Sequence, residues 1–502
     1  MITSAWVQVR ALLRLRWQMV RHDGIRGALI LTACAVAYLV VLVANGVGSL
    51  DPAVVKAARD VAPQAFFGFG VLAFVAPLTA GGGNEIFPPD QLVTFPIKPR
   101  TQFLGGLLLA PVNLVWVLQL LALVAETALL TNNGNAVTGA LTTALYALSL
   151  TALGQSMAWT VVALRQSRRG RQVVAFSGAG LLLGALLVVR SGTGGEVLDA
   201  SPTRYVPLGV TAGAHGHWLR WSVTTSVLAL LVVVGLTAGA RTCAWALRRP
   251  GDAGASREAK AVHRRRDHRS ALRLLVANDR GSVWRAPALR RGGLVLAVLP
   301  GLAAAGAQVP WQSVIVLPGL VAAGAGLLFG INAFCLDGSG AIFLASLPHD
   351  PRLIAWSKTL VLTETVFASV VISALSGGVR SPGSPTTAQV AAIIASGLAC
   401  TAVIVSCGMA ASVRRPHRAD LKGPRDAVAP PGALTLASVR LVLPAGLVAV
   451  IMGSSSDAGI WWLPLALAVP VLALCAWSLS RSAACWADPL ERARIVQVVS
   501  AG

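Results

Sequence analysis

The chain has 502 residues, of which 55% are hydrophobic and only 12% charged, and its mean hydropathy is +0.69. Ordinary soluble domains carry roughly 25% charged residues, and no soluble core of this length hides so much apolar surface, so the expected class is an all-α polytopic membrane protein. The net charge of +22 invites a nucleic-acid reading, but the arginines sit between apolar runs and no basic domain interleaved with aromatics is present. No nucleic-acid partner is expected.

The N-terminus has a long basic lead and no small-residue cleavage site, so it is expected to stay in the mature chain rather than be removed as a signal peptide. Stretches long enough to cross a bilayer, roughly 17–25 apolar residues each, then follow in order. The first half offers 27–47, 66–80, 103–130, 136–164, 173–189 and 223–240, and the second offers 292–307, 314–335, 353–375, 390–413, 434–452 and 460–479. That makes about twelve spans. Each run is continuously apolar rather than alternating, which excludes a membrane β-barrel.

Arginine placement orients the spans. With the N-terminus inside, the basic connectors all fall on the inner side, among them "RQSRRGRQ" at 165–172 and "RRPHRADLKGPRD" at 414–426. The outer connectors are near neutral, and Trp218, Trp221, Trp311, Trp461 and Trp462 mark the outer interface. Both termini are then cytoplasmic. Arg far outnumbers Lys, and Ala and Gly abound, the usage of a GC-rich bacterial genome, so the expected location is the bacterial plasma membrane. The seven cysteines lie in or near apolar spans with no metal-ligand spacing and read as small buried hydrophobes.

The segment 248–270, "RRPGDAGASREAKAVHRRRDHRS", is polar, basic and broken by Pro and Gly, and reads as a cytoplasmic linker. It separates a first six-span domain, 1–247, from a second, 271–502. The two resemble each other. Shifting the first by about 252 residues lays "TFPIKPR" (94–100) on "SLPHDPR" (346–352). Phe95 then meets Leu347, Pro96 meets Pro348, Pro99 meets Pro351 and Arg100 meets Arg352, while Glu85 and Asp337 each stand eleven positions before the first proline. Each half also opens on a basic amphipathic stretch. In the first, Arg10, Arg14 and Arg21 share a helical face with Trp17 largely elsewhere, which suits a helix lying in the inner interface with Arg towards lipid phosphate. Six spans per half imply a parallel repeat about an axis along the membrane normal, with a pathway between the halves.

A basic interfacial helix, two spans, a short Leu-Pro-x-x-Pro-type connector and four more spans is similar to the permease subunit of type-2 ABC exporters, here fused twice in one chain. The resemblance covers the whole chain in layout, while its specific motif is short. It implies that 90–100 and 341–352 are coupling segments docking in a cleft of an ATPase subunit, with the elbow helix beside them. The residues so assigned are Glu85, Asp90, Phe95, Pro96, Lys98, Pro99 and Arg100, and Asp337, Leu347, Pro348, Asp350, Pro351 and Arg352. The second copy departs from the first, with His349 and Asp350 where the first has Ile97 and Lys98. No G-x-x-x-x-G-K-[ST] loop occurs; "GGGNEIFPP" at 81–89 lacks the Lys and Ser/Thr that hold phosphate and magnesium. This chain is therefore expected to be no enzyme and to bind no cofactor, with ATP and Mg on two partner ATPase subunits. Membrane lipids and an exported lipid, peptide or drug-like substrate complete the expected partners.

Inside the spans, Glu364 lies about twelve residues into the ninth, near mid-depth, with Arg440 of the eleventh as a candidate partner. With Asn113 and Asn332 these are the candidate pathway or gating residues, set against the plainer reading of interhelical hydrogen bonds and ion pairs. Glu126 lies near an outer span end. The counterpart of the long outer stretch 191–222 in the resembling family carries short re-entrant helices that cap the pathway; an ordered loop with no gating role is the equal alternative. Its His215 and His217 form H-x-H, a weak metal signal that reads more readily as two surface histidines. Two other classes compete. A major facilitator would carry a G-x-x-x-D-R-x-G-R-like loop after its second span, whereas "ANDRG" at 277–281 precedes the seventh. A membrane transferase would need external carboxylates, and Asp51 and Asp60 are thin support.

Overall fold

A chain segment in a bilayer must satisfy its own backbone polar groups, and continuously apolar runs do so as helices. The computed structural model describes residues 7–11, 14, 59, 62–71, 73–74, 97–108, 114–131, 134–248, 270–417, 419 and 431–500. Among them all regular structure is helical. Nine of these helices are long and apolar enough to cross a membrane, and the protein is a polytopic helical membrane protein. By its internal contacts the chain divides into two units, Met1–Asp252 and Ala253–Gly502.

In the first unit the described helices are α1 (Pro99–Leu108), α2 (Leu114–Leu130), α3 (Ala136–Arg165), α4 (Arg168–Ser191), α5 (Gly194–Ala200), α6 (Tyr205–Ala214) and α7 (Trp218–Arg248). Residues 62–71 and 73–74 are also helical. The expected run 103–130 is described as α1 and α2, and the run 27–47 lies outside the described residues. The runs 173–189 and 223–240 lengthen into α4 and α7, because polar and basic flanks continue a helix where water and headgroups solvate them.

The long α3 and α7 pack along each other. Small residues let them approach: a Cβ on Gly235 of α7 would meet Ala152 of α3, while one on Gly239 would fall into the Phe103 ring of α1. Hydroxyls then tie the helices together. Ser156 Oγ donates to the Gly235 carbonyl at 2.8 Å, and Thr127 and Thr143 pair across α2 and α3 at 2.6 Å. Phe66, Phe69, Tyr146 and Leu150 form a core with Val206 and Val210 of α6, and the Tyr146 hydroxyl donates to the Phe66 carbonyl at 2.6 Å. The stretch expected as a long outer connector thus contains two short helices and a 3-10 turn, with α6 seated against α3.

The second unit contains α8 (Ala271–Arg285), α9 (Pro287–Gly306), α10 (Trp311–Phe329), a 3-10 segment (Gly330–Leu336), α11 (Gly340–Ser346) and α12 (Arg352–Gly378). It continues with α13 (Thr387–Arg414), α14 (Pro431–Ser456), α15 (Leu463–Ala487) and α16 (Pro489–Ser500). α13 is the central helix, touching α10, α12, α14 and α15. It opens on a capping box, with Thr386 accepting from the Gln389 backbone and Gln389 accepting from the Thr386 backbone. α8 packs on α12 rather than standing apart.

Candidate functional site

The connector between the second and third long helices of the second unit brings together the buried charged side chains Asp279, Asp337 and Lys358. The sequence suggests a span running through Cys335, but α10 ends at Phe329. There Asn332 takes a non-helical backbone, φ −149° and ψ 55°, fully buried. Broken helices leave backbone groups that neighbours must satisfy, and α13 supplies them. The Ala333 N–H donates to Ser412 Oγ at 2.9 Å, and the same oxygen lies 2.9 Å from the Gly330 carbonyl. Asn332 Nδ2 donates to the His417 carbonyl at 2.7 Å. The approach is close because residue 408 is glycine; a Cβ there would sit 2.8 Å from the Gly330 oxygen. Phe334 stacks on Trp486 at 4.1 Å between ring centroids, fixing the break to α15.

Immediately after the break comes an ion triad. Lys358, six residues into α12 and 1% exposed, places Nζ 2.5 Å from Asp279 Oδ1 and 2.5 Å from Asp337 Oδ1. Ser357 Oγ donates to the other Asp279 oxygen at 2.5 Å. Asp279 sits one turn after buried Val276 on the face of α8 that meets α12. A buried charge is tolerated only when paired and hydrogen-bonded, and this lysine has both. Burial pushes the Asp337 carboxyl above its ordinary value of 3.8, with the Lys358 charge as the opposing influence.

Beyond the triad, Gly338 takes φ +50°, a left-handed turn that favours glycine, and the chain enters α11. Ile342 and Phe343 of α11 are exposed, at 59% and 66%, while Ala341 is buried. α11 rests on α16. Leu347 is extended, as the residue before a proline prefers. Asp350 Oδ1 accepts the Arg352 N–H at 2.9 Å and so starts α12; Leu347, Pro348, Asp350 and Arg352 are exposed, and Pro351 is half-buried.

The residues singled out from sequence fall unevenly. Asp337, expected on a docking surface, is instead turned inward to Lys358, because the break at Asn332 brings it under α12. Glu364 is not paired with Arg440. Its carboxylate receives Arg280 of α8, Nε to Oε2 at 2.7 Å and Nη2 to Oε1 at 2.5 Å, since α8 lies along α12, while Arg440 is exposed on α14. In the first unit Pro99 opens α1, Lys98 and Arg100 are exposed, and Thr101 Oγ1 donates to Gln8 Oε1 at 2.9 Å. Arg10 and Arg14 are exposed beside buried Val9. Glu85, Asp90, Phe95, Pro96, Trp17, Arg21 and Asn113 lie outside the described residues. His215 and His217 are exposed, and no group of three metal-ligating side chains occurs among the described residues.

Lys358 and the pairing role of Asp279 were missed in the sequence. The available signal was a lysine six residues after Arg352 with an acidic residue in each of the two preceding polar segments. Comparison of the chain with family models, curated proteins and solved structures finds no match in any of the three.

Proposed function

We propose that this chain forms the transmembrane part of a type-2 ABC exporter, two six-span units fused, with both termini cytoplasmic in a bacterial plasma membrane. Nine described helices long and apolar enough to cross, together with the apolar runs at 27–47, 66–80 and 103–130, match the twelve crossings this reading requires. ATP and magnesium belong to two separate ATPase subunits, and the exported cargo is hydrophobic or amphipathic: lipid, peptide or drug-like. The observation that carries this reading is α11. A short helix between two spans presents Ile342 and Phe343 outward, flanked by exposed Asp350 and Arg352. Two adjacent exposed apolar side chains on a connector suit the cleft of a soluble partner. The similar placement of α8 against α12 and of Gln8 against Thr101 supports a repeated design.

Co-purification from native membranes tests it. A P-loop ATPase is expected with the wild-type chain, and the chain alone is expected to hydrolyse no ATP. Replacing both Ile342 and Phe343 with Asp removes about 1.5–3 kcal/mol of apolar burial per side chain, at least a hundredfold in affinity. Transport that persists on ATP depletion and stops with an ionophore overturns the reading in favour of a secondary transporter.

A further inference from the structure

One ammonium in this unit touches two chain segments other than its own. Lys358 belongs to α12, Asp279 to α8, and Asp337 to the turn three residues before α11 begins. Ser357 adds a second grip from α12 on Asp279. All three charged side chains are at most 4% exposed, so water competes little for these bonds, and each is stronger than an exposed ion pair. We propose that Lys358 is a positioning residue: it locks α11 to α8 and α12, so that movement imposed on α11 is delivered to the span α12 instead of being absorbed in the connector. The lock itself stands on the triad; only the identity of what pushes α11 rests on the exporter reading.

The Ser412 bonds and the Phe334–Trp486 stack hold the break itself, and three observations give the triad its place between that break and α11. The backbone has left the helical ladder at Asn332, so no continuous helix transmits force from α10 to α11. Gly338 adds a left-handed turn with open space around it. Asp337 lies between these two points: its side chain is held by Lys358, and its carbonyl accepts the N–H of Gly340, the first residue of α11, at 2.8 Å across the Gly338 turn. The lock also belongs to the second half in sequence: Lys358 stands six residues after Arg352, and the residue six after Arg100 is Gly106. The side chain that would hold the acids is therefore missing at that place in the first half.

The test uses the full chain in lipid nanodiscs, with native cysteines replaced and spin labels at Asn278→Cys on α8 and Ser346→Cys on α11, both exposed. Wild type is expected to give one narrow distance distribution. Lys358→Met should broaden it at least twofold, and Lys358→Arg should largely restore it. Should Lys358→Met fail to fold, the triple variant Lys358→Met, Asp279→Asn, Asp337→Asn, which buries no unpaired charge, carries the same expectation. A distribution as narrow as wild type overturns the lock, whatever co-purifies. With the ATPase partner present, Lys358→Met should keep association and lose at least tenfold in transport per ATP hydrolysed. Wild-type transport alongside a broadened distribution overturns delivery of movement through the lock. A broadened distribution where wild type recruits no ATPase supports the lock and sinks the exporter reading instead.

Discussion

Arg280 and Glu364 meet across α8 and α12 as a two-pronged ion pair, with both side chains about half exposed at 59% and 45%. Hydrogen bonding to Glu364 and its negative charge raise the guanidinium's affinity for its proton further, against a small opposing effect of burial. Where water reaches such a pair, as in detergent micelles, it contributes about 0.2–1 kcal/mol and weakens with salt. Glu364→Gln should therefore lower the melting temperature in detergent only slightly at low ionic strength and by less at 1 M salt. A loss as large as that of Lys358→Met would show that the pair is shielded from water.

The buried triad should behave in the opposite way. Lys358→Met leaves two carboxylates facing each other, and removing one partner of a buried pair costs about 3–5 kcal/mol. Asp337→Asn leaves the Lys358–Asp279 pair intact, and its loss should be much smaller. Denaturant or thermal unfolding of the two variants side by side checks the order.

Asp337 also predicts a pH dependence. Its folded value lies above the ordinary 3.8, so between the two values the native state holds a proton that the unfolded chain has released. Stability from this group is present at low pH and declines as pH rises through the raised value. Melting curves should show Asp337→Asn gaining on wild type as pH increases from about 4, then running parallel. An advantage that grows towards acid instead would reverse the assignment.

Glycine packing gives a paired prediction. At Gly408 an added Cβ would press on the Gly330 carbonyl, while at Gly446 of α14 it would meet open space. Gly408→Ala should destabilise by about 1–3 kcal/mol, as overpacking does. Gly446→Ala should be neutral or stabilise by up to about 1 kcal/mol through helix propensity. Equal effects at both positions would contradict the close approach of α13 to the break.

Orientation is testable with a membrane-impermeant maleimide on whole cells, in a cysteine-free background. Cysteines placed at His217 and Asp457, both exposed, should react from outside. Those at Arg169 and Arg415 should react only after lysis. The reverse pattern would invert the topology deduced from arginine placement.

Spans were readable in the sequence wherever a run was continuously apolar, as from Val390 to Val413, which became Thr387–Arg414. Ends were less readable, because Arg168 and Arg248 continue helices that hydropathy alone would stop. The break at Asn332 was hidden because its neighbours Ile331 and Phe334 are as apolar as a span requires. The triad was hidden for another reason: its partners are 79 and 21 residues apart in sequence. Local periodicity carries no trace of such pairings: the amphipathic stretch that opens the second half shows its basic face, but not that its Asp279 and Arg280 make ion contacts to α12.

That spacing along the chain has a consequence for biosynthesis. A lysine near the middle of an inserting helix is opposed by about 2.5–3.5 kcal/mol on the translocon scale, and less nearer its end. Both acidic partners of Lys358 lie upstream of it, so a ribosome delivers Asp279 and then Asp337 before the lysine emerges. The counter-charges are thus already made when α12 enters the bilayer, and the order of synthesis matches the order in which the charges must be neutralised.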